Sequence, residues 1–354
     1  MKESPINPYH RRQGAHIGME EGWQMPATYT DVLQEHQAAR AACGIFDISH
    51  LGKFCVLGYG ALSWLESMLS NKIAGCGDGE GQHTLMLGDN GGIIDRLTLF
   101  RESEECYRLW GSAALAAEDE YWLSAHLPDK DVFLQNETER WSGMAIYGPE
   151  SREVFQRVLP GVPMPGPMQM QHPQVEGEEL LLTACGLEGD EGFELWCPAI
   201  RGIFWFESFV RAGAHPCGMA TRECLRQERH IASPGRDMNS KTTPEQAHLT
   251  HLCDAKKRFV GAPALHRRIR PALHKKLTPL ECTAASPPPR HGQTVQDEEG
   301  NCVGFITSGC TSPTTGLGIG FAYLSLHLTT PGTKLSIVME GKAVPAVVSS
   351  KALR

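Results

Sequence analysis

Leu85-Met-Leu-Gly-Asp-Asn-Gly-Gly-Ile-Ile-Asp-Arg-Leu-Thr-Leu-Phe100 is the stretch on which the fold turns. Leu85 to Leu87 is a short apolar run, Asp89 to Gly92 a tight turn, and Ile93 to Phe100 a second run broken by Asp95, Arg96 and Thr98. Asn90-Gly91 is a strong hairpin signal because both residue types tolerate positive φ, so the stretch predicts two antiparallel strands. Asp95 then sits inside a strand, and a carboxylate there needs water or a partner. It is either the solvent side of an edge strand, or an ion-pair partner of Arg96, or an acid at the floor of a ligand pocket.

Upstream of the hairpin, residues 1–30 read as irregular, with Trp23, Met25 and Tyr29 either plugging a proline-broken loop onto a body or lining a cavity. Asp31 to Cys43 predicts a helix, capped by Asp31 with Gln34 three residues on and closed by Gly44 in the left-handed conformation. Ile45 to His50 reads as a strand and its exit. Lys53 to Leu57 predicts a strand, Gly58 and Gly60 a turn, and Ala61 to Leu69 a helix with Leu62, Leu65 and Leu69 on one face.

The same order returns about ninety residues later: a strand over Met144–Pro149, then a helix over Glu150–Leu159 with Val154, Phe155 and Val158 at helical spacing. Two related α+β units are implied, each with antiparallel strands backed by helices. Between them lie a strand at Tyr107–Trp110, a helix over Ala113–His126 and a strand near Val132–Leu134. Beyond them come strands at Glu179–Ala184 and Phe193–Trp196, then a helix over Ile200–Ala212 whose Phe204, Trp205, Phe206 and Phe209 read as packing. Met219–Glu228 predicts a helix bringing Arg222, Arg226 and Arg229 nearly to one face. Thr278–Arg290 reads as a proline-rich linker, and the helix-free runs at Cys302–Thr307, Gly318–Tyr323, Lys334–Glu340 and Ala343–Val348 as a small all-β domain.

Composition narrows the function. The 354 residues carry a formal charge of −8, with 41% hydrophobic and 21% charged residues, as in an ordinary globular protein. That balance argues against nucleic acid as the main partner. No apolar run is long enough to span a membrane, and the N-terminus lacks an export signal, so a cytoplasmic location is expected. Twelve scattered cysteines without a CxxC read as reduced thiols. His248, His251 and Cys253 lack a fourth ligand, so no metal is predicted.

No nucleophile elbow, phosphate loop or dinucleotide fingerprint is present. What remains is a set of carboxylates in turns and strands, Asp95, Asp190 and Glu194, against arginines on one helix, Arg222 and Arg226. Carboxylates accept from ring N–H groups and arginine grips carboxylates bidentately, so this set suits a heteroaromatic ligand with an acidic tail, as well as ordinary surface ion pairs.

Along nearly its whole length the chain resembles the T-protein of the glycine cleavage system, the aminomethyltransferase family. The resemblance is carried by Gly22-Trp-Gln-Met-Pro26, Glu35-His36 through Arg40 to Gly44-Ile-Phe-Asp-Ile-Ser-His50, Gly91-Gly-Ile-Ile-Asp95, Tyr147-Gly-Pro149 and Gly189-Asp-Glu-Gly-Phe-Glu194. It continues in Cys217-Gly-Met-Ala-Thr-Arg222 with Leu225-Arg226, Met238 with Thr243-Pro-Glu245, Arg258-Phe-Val-Gly261, Ile306-Thr-Ser-Gly309 and Ser312-Pro313.

That resemblance implies an α+β, three-domain cloverleaf: residues 1–51 with 139–250 as a discontinuous first domain, 52–138 as a ferredoxin-like second, 251–277 as a connection, and 278–354 as a β-barrel-like third. It implies tetrahydrofolate as cofactor, with Asp95 beside the reacting nitrogens and His83, Leu187, Asp190, Arg222 and Arg226 around the folate, Arg226 favoured near its tail. The implied reaction takes the aminomethyl group from the lipoyl arm of H-protein, releases ammonia and leaves methylenetetrahydrofolate. H-protein is then a transient partner and the glycine decarboxylase complex an indirect one. The chain departs from the family pattern at Arg96 (an acid elsewhere), Asp190 (a glutamate), Leu187 and His83 (aromatic residues), Asn239 and Ser240 (acids), and Gln227-Glu-Arg229. These departures keep two sister activities open: folate-dependent demethylation of a small donor, and folate binding without turnover.

Overall fold

The computed structural model describes residues 2–184, 191–267, 274–350 and 352–353. Its α+β organisation is clearest in a repeated motif. Strand Gly52–Leu57 runs into Gly58 and then helix Ala61–Met68; strand Trp141–Tyr147 runs into Gly148 and then helix Ser151–Val158.

Both glycines lie at positive φ, +117° and +125°, a region closed to most side chains. A Cβ on either would strike a carbonyl oxygen, Asp131 O at 2.3 Å and Ala42 O at 2.4 Å. The backbone bonds repeat as well. Gly58 N–H donates to Glu105 O and Gly60 N–H to Asp131 O, while Gly148 N–H donates to Glu191 O and Glu150 N–H to Ala42 O. The first helix buries Ala61, Trp64, Leu65 and Met68, and the second Ser151, Val154 and Phe155, at the same helical positions. The repetition legible in the sequence is therefore a repetition of turn chemistry and of buried face.

The first copy belongs to a five-stranded sheet in the order Gly81–Leu87, Ile93–Ser103, Cys106–Gly111, Gly52–Leu57, Phe133–Asn136. The second belongs to a six-stranded sheet in which Trp141–Tyr147 lies between Gly44–Asp47 and Gly192–Pro198. Helix Gly202–Arg211 covers that sheet with Trp205, Phe206 and Phe209, which pack with Phe155 and Phe193; Phe204 is exposed, so three of the four aromatics are core. Truncating one such buried ring to alanine costs about 3–5 kcal/mol.

Three expectations need correction. Residues 1–30 are not irregular: Lys2–Glu3, Trp23–Thr28 and His16–Glu20 form a three-stranded sheet beside helix Asn7–Arg12. Trp23 and Met25 are buried as strand residues. Gly44 does not close the helix in a left-handed turn. Helix Val32–Ala41, whose Asp31 cap accepts from Gln34 N–H at 2.9 Å, ends at Ala42, and Gly44 opens a strand. A Cβ there would lie 2.9 Å from Ala39 Cβ and 3.2 Å from Cys217 Sγ, so close packing is the reason for glycine. Nor is Thr278–Arg290 a linker throughout. Lys275–Cys282 is a barrel strand in which Pro279 sits opposite Phe321 and its carbonyl accepts from Ser349 N–H.

That strand completes a closed barrel in the order Lys275–Cys282, Gly318–Ser325, Cys302–Thr311, Thr294–Gln296, Lys334–Met339, Lys342–Val348. Alternate residues point inward, as Leu280 and Cys282, Leu335, Ile337 and Met339, or Ala346 and Val348 do. Closure leaves no strand edge unpaired. The chain divides into two compact units, Met1–Thr84 with Arg96–Arg222, and Leu85–Asp95 with Glu223–Arg354. The hairpin tip thus belongs with the barrel-bearing unit.

Candidate active site

Asp95 lies on Ile93–Ser103, which has a neighbour on each side, and its side chain is 0% exposed. The solvent-facing edge reading is excluded. The tip that carries it is held tightly. Gly91 N–H closes the turn on Gly88 O at 2.8 Å, and Gly91 alone in the turn adopts positive φ, +75°. Asn90 is not left-handed. Its Oδ1 accepts from Gly92 N–H at 2.9 Å and its Nδ2 donates to Ser240 O at 3.0 Å, so asparagine acts here through its side chain. Ile93 N–H donates to Thr242 O at 2.8 Å. Leu85, Leu87 and Ile93 share a core with Met238, Leu249, Leu252 and Phe259. A Cβ on Gly92 would stand 1.9 Å from Ser240 O, so the double glycine is a steric requirement.

His83 is half-buried on Gly81–Leu87, with Nδ1 3.1 Å from Thr98 Oγ1. Leu187 and Asp190 lie outside the described residues. Glu194, just beyond them, is buried and engaged: it accepts from Tyr147 O–H and Thr183 O–H, both at 3.0 Å.

The two arginines differ. Helix Met219–Glu228 starts on Glu35, whose Oε2 accepts from Gly218 N–H at 2.8 Å and Thr221 O–H at 2.7 Å. Arg222, in its first turn, is half-buried, and its Nε is buried with no hydrogen-bond partner among the described residues. One turn on, Arg226 has each of its five N–H groups engaged. Nε donates to Glu223 Oε2 at 3.0 Å, Nη2 to Glu223 Oε1 at 2.5 Å and Ser308 Oγ at 3.2 Å, and Nη1 to Asp237 Oδ2 at 2.8 Å and to Ile231 O. Burial alone would raise the Glu223 carboxyl, but the Arg226 guanidinium holds it below the usual range.

Asp237 is the hub that sequence reasoning missed. Fully buried, it also accepts from Ser233 N–H at 2.9 Å, from Thr307 O–H at 2.6 Å and from Ser308 O–H. Glu228, likewise buried, accepts from Ser312 O–H and from Thr314 N–H at 3.1 Å. The Thr-Ser-Gly and Ser-Pro motifs therefore supply hydroxyls to two buried acids that lie 71 and 84 residues away in the chain. No group of three metal-ligating side chains is assembled among the described residues.

Comparison with known proteins follows the same lines. The family model described as the GCVT N-terminal domain matches residues 6–257, and that of the glycine cleavage T-protein C-terminal barrel domain matches residues 275–353. The chain is 31% identical to the aminomethyltransferase of Geobacillus kaustophilus, over 98% of this chain and 96% of that protein. It is 32% identical to the aminomethyltransferase of Chloroherpeton thalassium, over 98% of this chain and 97% of that protein. It shares its fold with the crystal structure of glycine cleavage system aminomethyltransferase T from Bartonella henselae, at a TM-score of 0.93 and 28% identity over 100% of this chain and 98% of the other. With both family models matched in order, and relatives of this similarity along its length, the chain belongs to the glycine cleavage T-protein family of aminomethyltransferases.

Proposed function

We propose that this chain moves a one-carbon unit from aminomethyl-lipoyl H-protein to tetrahydrofolate, with release of ammonia. Family membership supports transferase chemistry of the aminomethyltransferase type. The observation that carries the finer reading is the complete burial of Asp95 on a hairpin braced by a double glycine.

The residues present fit a reduced folate. Asp95 offers an acceptor for ring N–H groups, and Arg222 offers a buried Nε donor without a partner among the described residues, suited to a carboxylate tail. Arg226 has no N–H left to offer, so we assign the tail contact to Arg222. Tetrahydrofolate, when bound, supplies the nitrogens that accept the one-carbon unit. Asp95 orients the ring through hydrogen bonds, stabilises positive charge that develops beside it and takes up or returns a proton, all out of contact with bulk water. His83, whose Nδ1 lies 3.1 Å from Thr98 Oγ1, and Leu187 and Asp190 are kept as proposed folate contacts on the family resemblance. H-protein is the proposed donor and, through it, the glycine decarboxylase complex the proposed context.

The test is tetrahydrofolate binding followed by ammonia release and methylenetetrahydrofolate formation with aminomethylated H-protein. Turnover with that carrier is the expected result. Binding without turnover on any carrier would overturn the enzymatic reading, and product from a free methylated donor alone would replace the carrier with a small molecule.

A further inference from the structure

Two thiols meet on one face of the five-stranded sheet. Cys55, within Gly52–Leu57, and Cys106, the first residue of Cys106–Gly111, have their sulfurs 3.8 Å apart. Cys55 stands opposite Arg108 and Cys106 opposite Leu57, so the cysteines are diagonal neighbours across adjacent strands. Cys55 is buried, whereas Cys106 is half-buried.

The surroundings are polar and organised. The Cys106 thiol lies 3.3 Å from Glu102 Oε2, and Arg108 donates to Glu102 at 2.6 Å and to Glu137 at 2.6 Å. The hydrogen bond from Cys106 lowers the Cys55 thiol below its ordinary value, burial opposes this, and the Arg108 guanidinium adds to the lowering. The same hydrogen bond, burial and the neighbouring Cys55 push Cys106 up. The pair therefore holds one negative charge more readily than two. Elsewhere burial does the reverse; it pushes the Cys43 thiol up to about 12. A thiolate is the reactive form of cysteine, so this pair differs in kind from an inert buried thiol.

We propose that Cys55 and Cys106 are an oxidation site: a dithiol that reacts with hydrogen peroxide and closes to an intramolecular disulfide. The thiolate of the pair attacks one peroxide oxygen, the O–O bond breaks, and a sulfenic acid and hydroxide result. The second sulfur then attacks the sulfenic sulfur, forming the S–S bond and expelling its hydroxyl group, which leaves as water with the second thiol's proton. The first thiol's proton neutralises the hydroxide. Two thiols and one peroxide thus give one disulfide and two waters; the sulfurs are oxidised and the peroxide reduced. The sulfurs must close from 3.8 Å to the bond length of about 2.05 Å. Cys106, half-buried at the start of its strand, is the sulfur that must turn from Glu102, and the diagonal placement calls for a small backbone movement as well.

The test treats the full chain with one equivalent of hydrogen peroxide, alkylates the remaining thiols and maps peptides without reductant. The expected product is a peptide pair linked through Cys55 and Cys106 that dithiothreitol separates. Cys302, exposed, is a competing thiol, and the same linked pair is expected in Cys302→Ser. In Cys55→Ser or Cys106→Ser the link disappears and the remaining thiol is oxidised several-fold more slowly. The proposal is overturned if both cysteines are still alkylated while others are oxidised, or if Cys106 runs on to a sulfinic acid with Cys55 untouched. Both outcomes are read on the wild-type chain, so neither depends on a variant folding.

Discussion

Arg226 and Asp237 are paired at 2.8 Å with side-chain exposures of 8% and 0%, and the arginine's remaining N–H groups are taken by Glu223, Ser308 and Ile231. An ion pair this enclosed is satisfied only as a set, because removing one member strands the others without solvent. Arg226→Met leaves Asp237 without its cation and Glu223 with only the longer contact to Arg236, 3.8 Å. We expect a loss of about 3–5 kcal/mol in stability, read as a fall in Cm and Tm. An unchanged Tm would show that the network is not held as described.

Arg222 should behave oppositely. Its Nε has no partner among the described residues and its loss strands no acid there. Arg222→Met is expected to weaken tetrahydrofolate binding by about ten- to a hundredfold, as the loss of a charge-assisted hydrogen bond does. The change in unfolding free energy should stay within about 1 kcal/mol. Calorimetric titration and denaturant unfolding of the two arginine variants separate a ligand contact from a structural one.

The hairpin tip gives a steric prediction. Gly92→Ala places a methyl group 1.9 Å from Ser240 O, so the tip must shift and Asp95 with it. Overpacking of this kind costs about 1–3 kcal/mol, and activity should fall by more than stability alone explains. Gly75→Ala, where nothing lies within 4 Å of the added carbon, is the matched control and should change stability by no more than about 0.5 kcal/mol.

Much of this was legible in the chain because it is local. The Asp31 cap, the helix Met219–Glu228 and the repeated strand–glycine–helix order are all written within one or two turns of sequence. What escaped depends on distant partners. Asp237 finds Ser308 71 residues away, and Glu228 finds Ser312 84 residues away, so neither acid carries a local mark of burial. Pro279 reads as a breaker, yet the strand around it is regular because barrel neighbours impose it: Thr278 faces Ala322 and Leu280 faces Gly320. Gly44 signals a turn by type, but its cause is the approach of Ala39 and Cys217. The N-terminal strands were hidden by Pro5, Pro8 and Pro26, although Pro26 itself lies within a strand.

Lys53 supplies a pH test. Its ammonium is buried, donates to Ser49 O at 2.7 Å and Leu51 O at 2.8 Å, and burial pushes its pKa down to about 7. The unfolded chain, at an ordinary lysine pKa of about 10.4, binds more protons between those values, so stability rises with pH across that window. Below about pH 7 both states are protonated, the penalty is fully present and the contribution is flat. Lys53→Met removes this slope. The wild type should therefore gain on the variant between about pH 7 and 10, by an amount on the order of a few kcal/mol. Urea unfolding of both proteins at a series of pH values makes the comparison, and parallel curves would contradict it.

The proposed reaction rests on the Asp95 carboxyl, fully enclosed on its strand. Asp95→Asn keeps the side chain's shape and removes its charge, and the decisive measurement is ammonia and methylenetetrahydrofolate formation from aminomethylated H-protein by the variant and the wild type, each saturated with tetrahydrofolate. We predict turnover reduced by about a hundredfold or more, the range for losing a positioned acid–base group, with folate still bound. Turnover by Asp95→Asn at the wild-type rate would contradict the account.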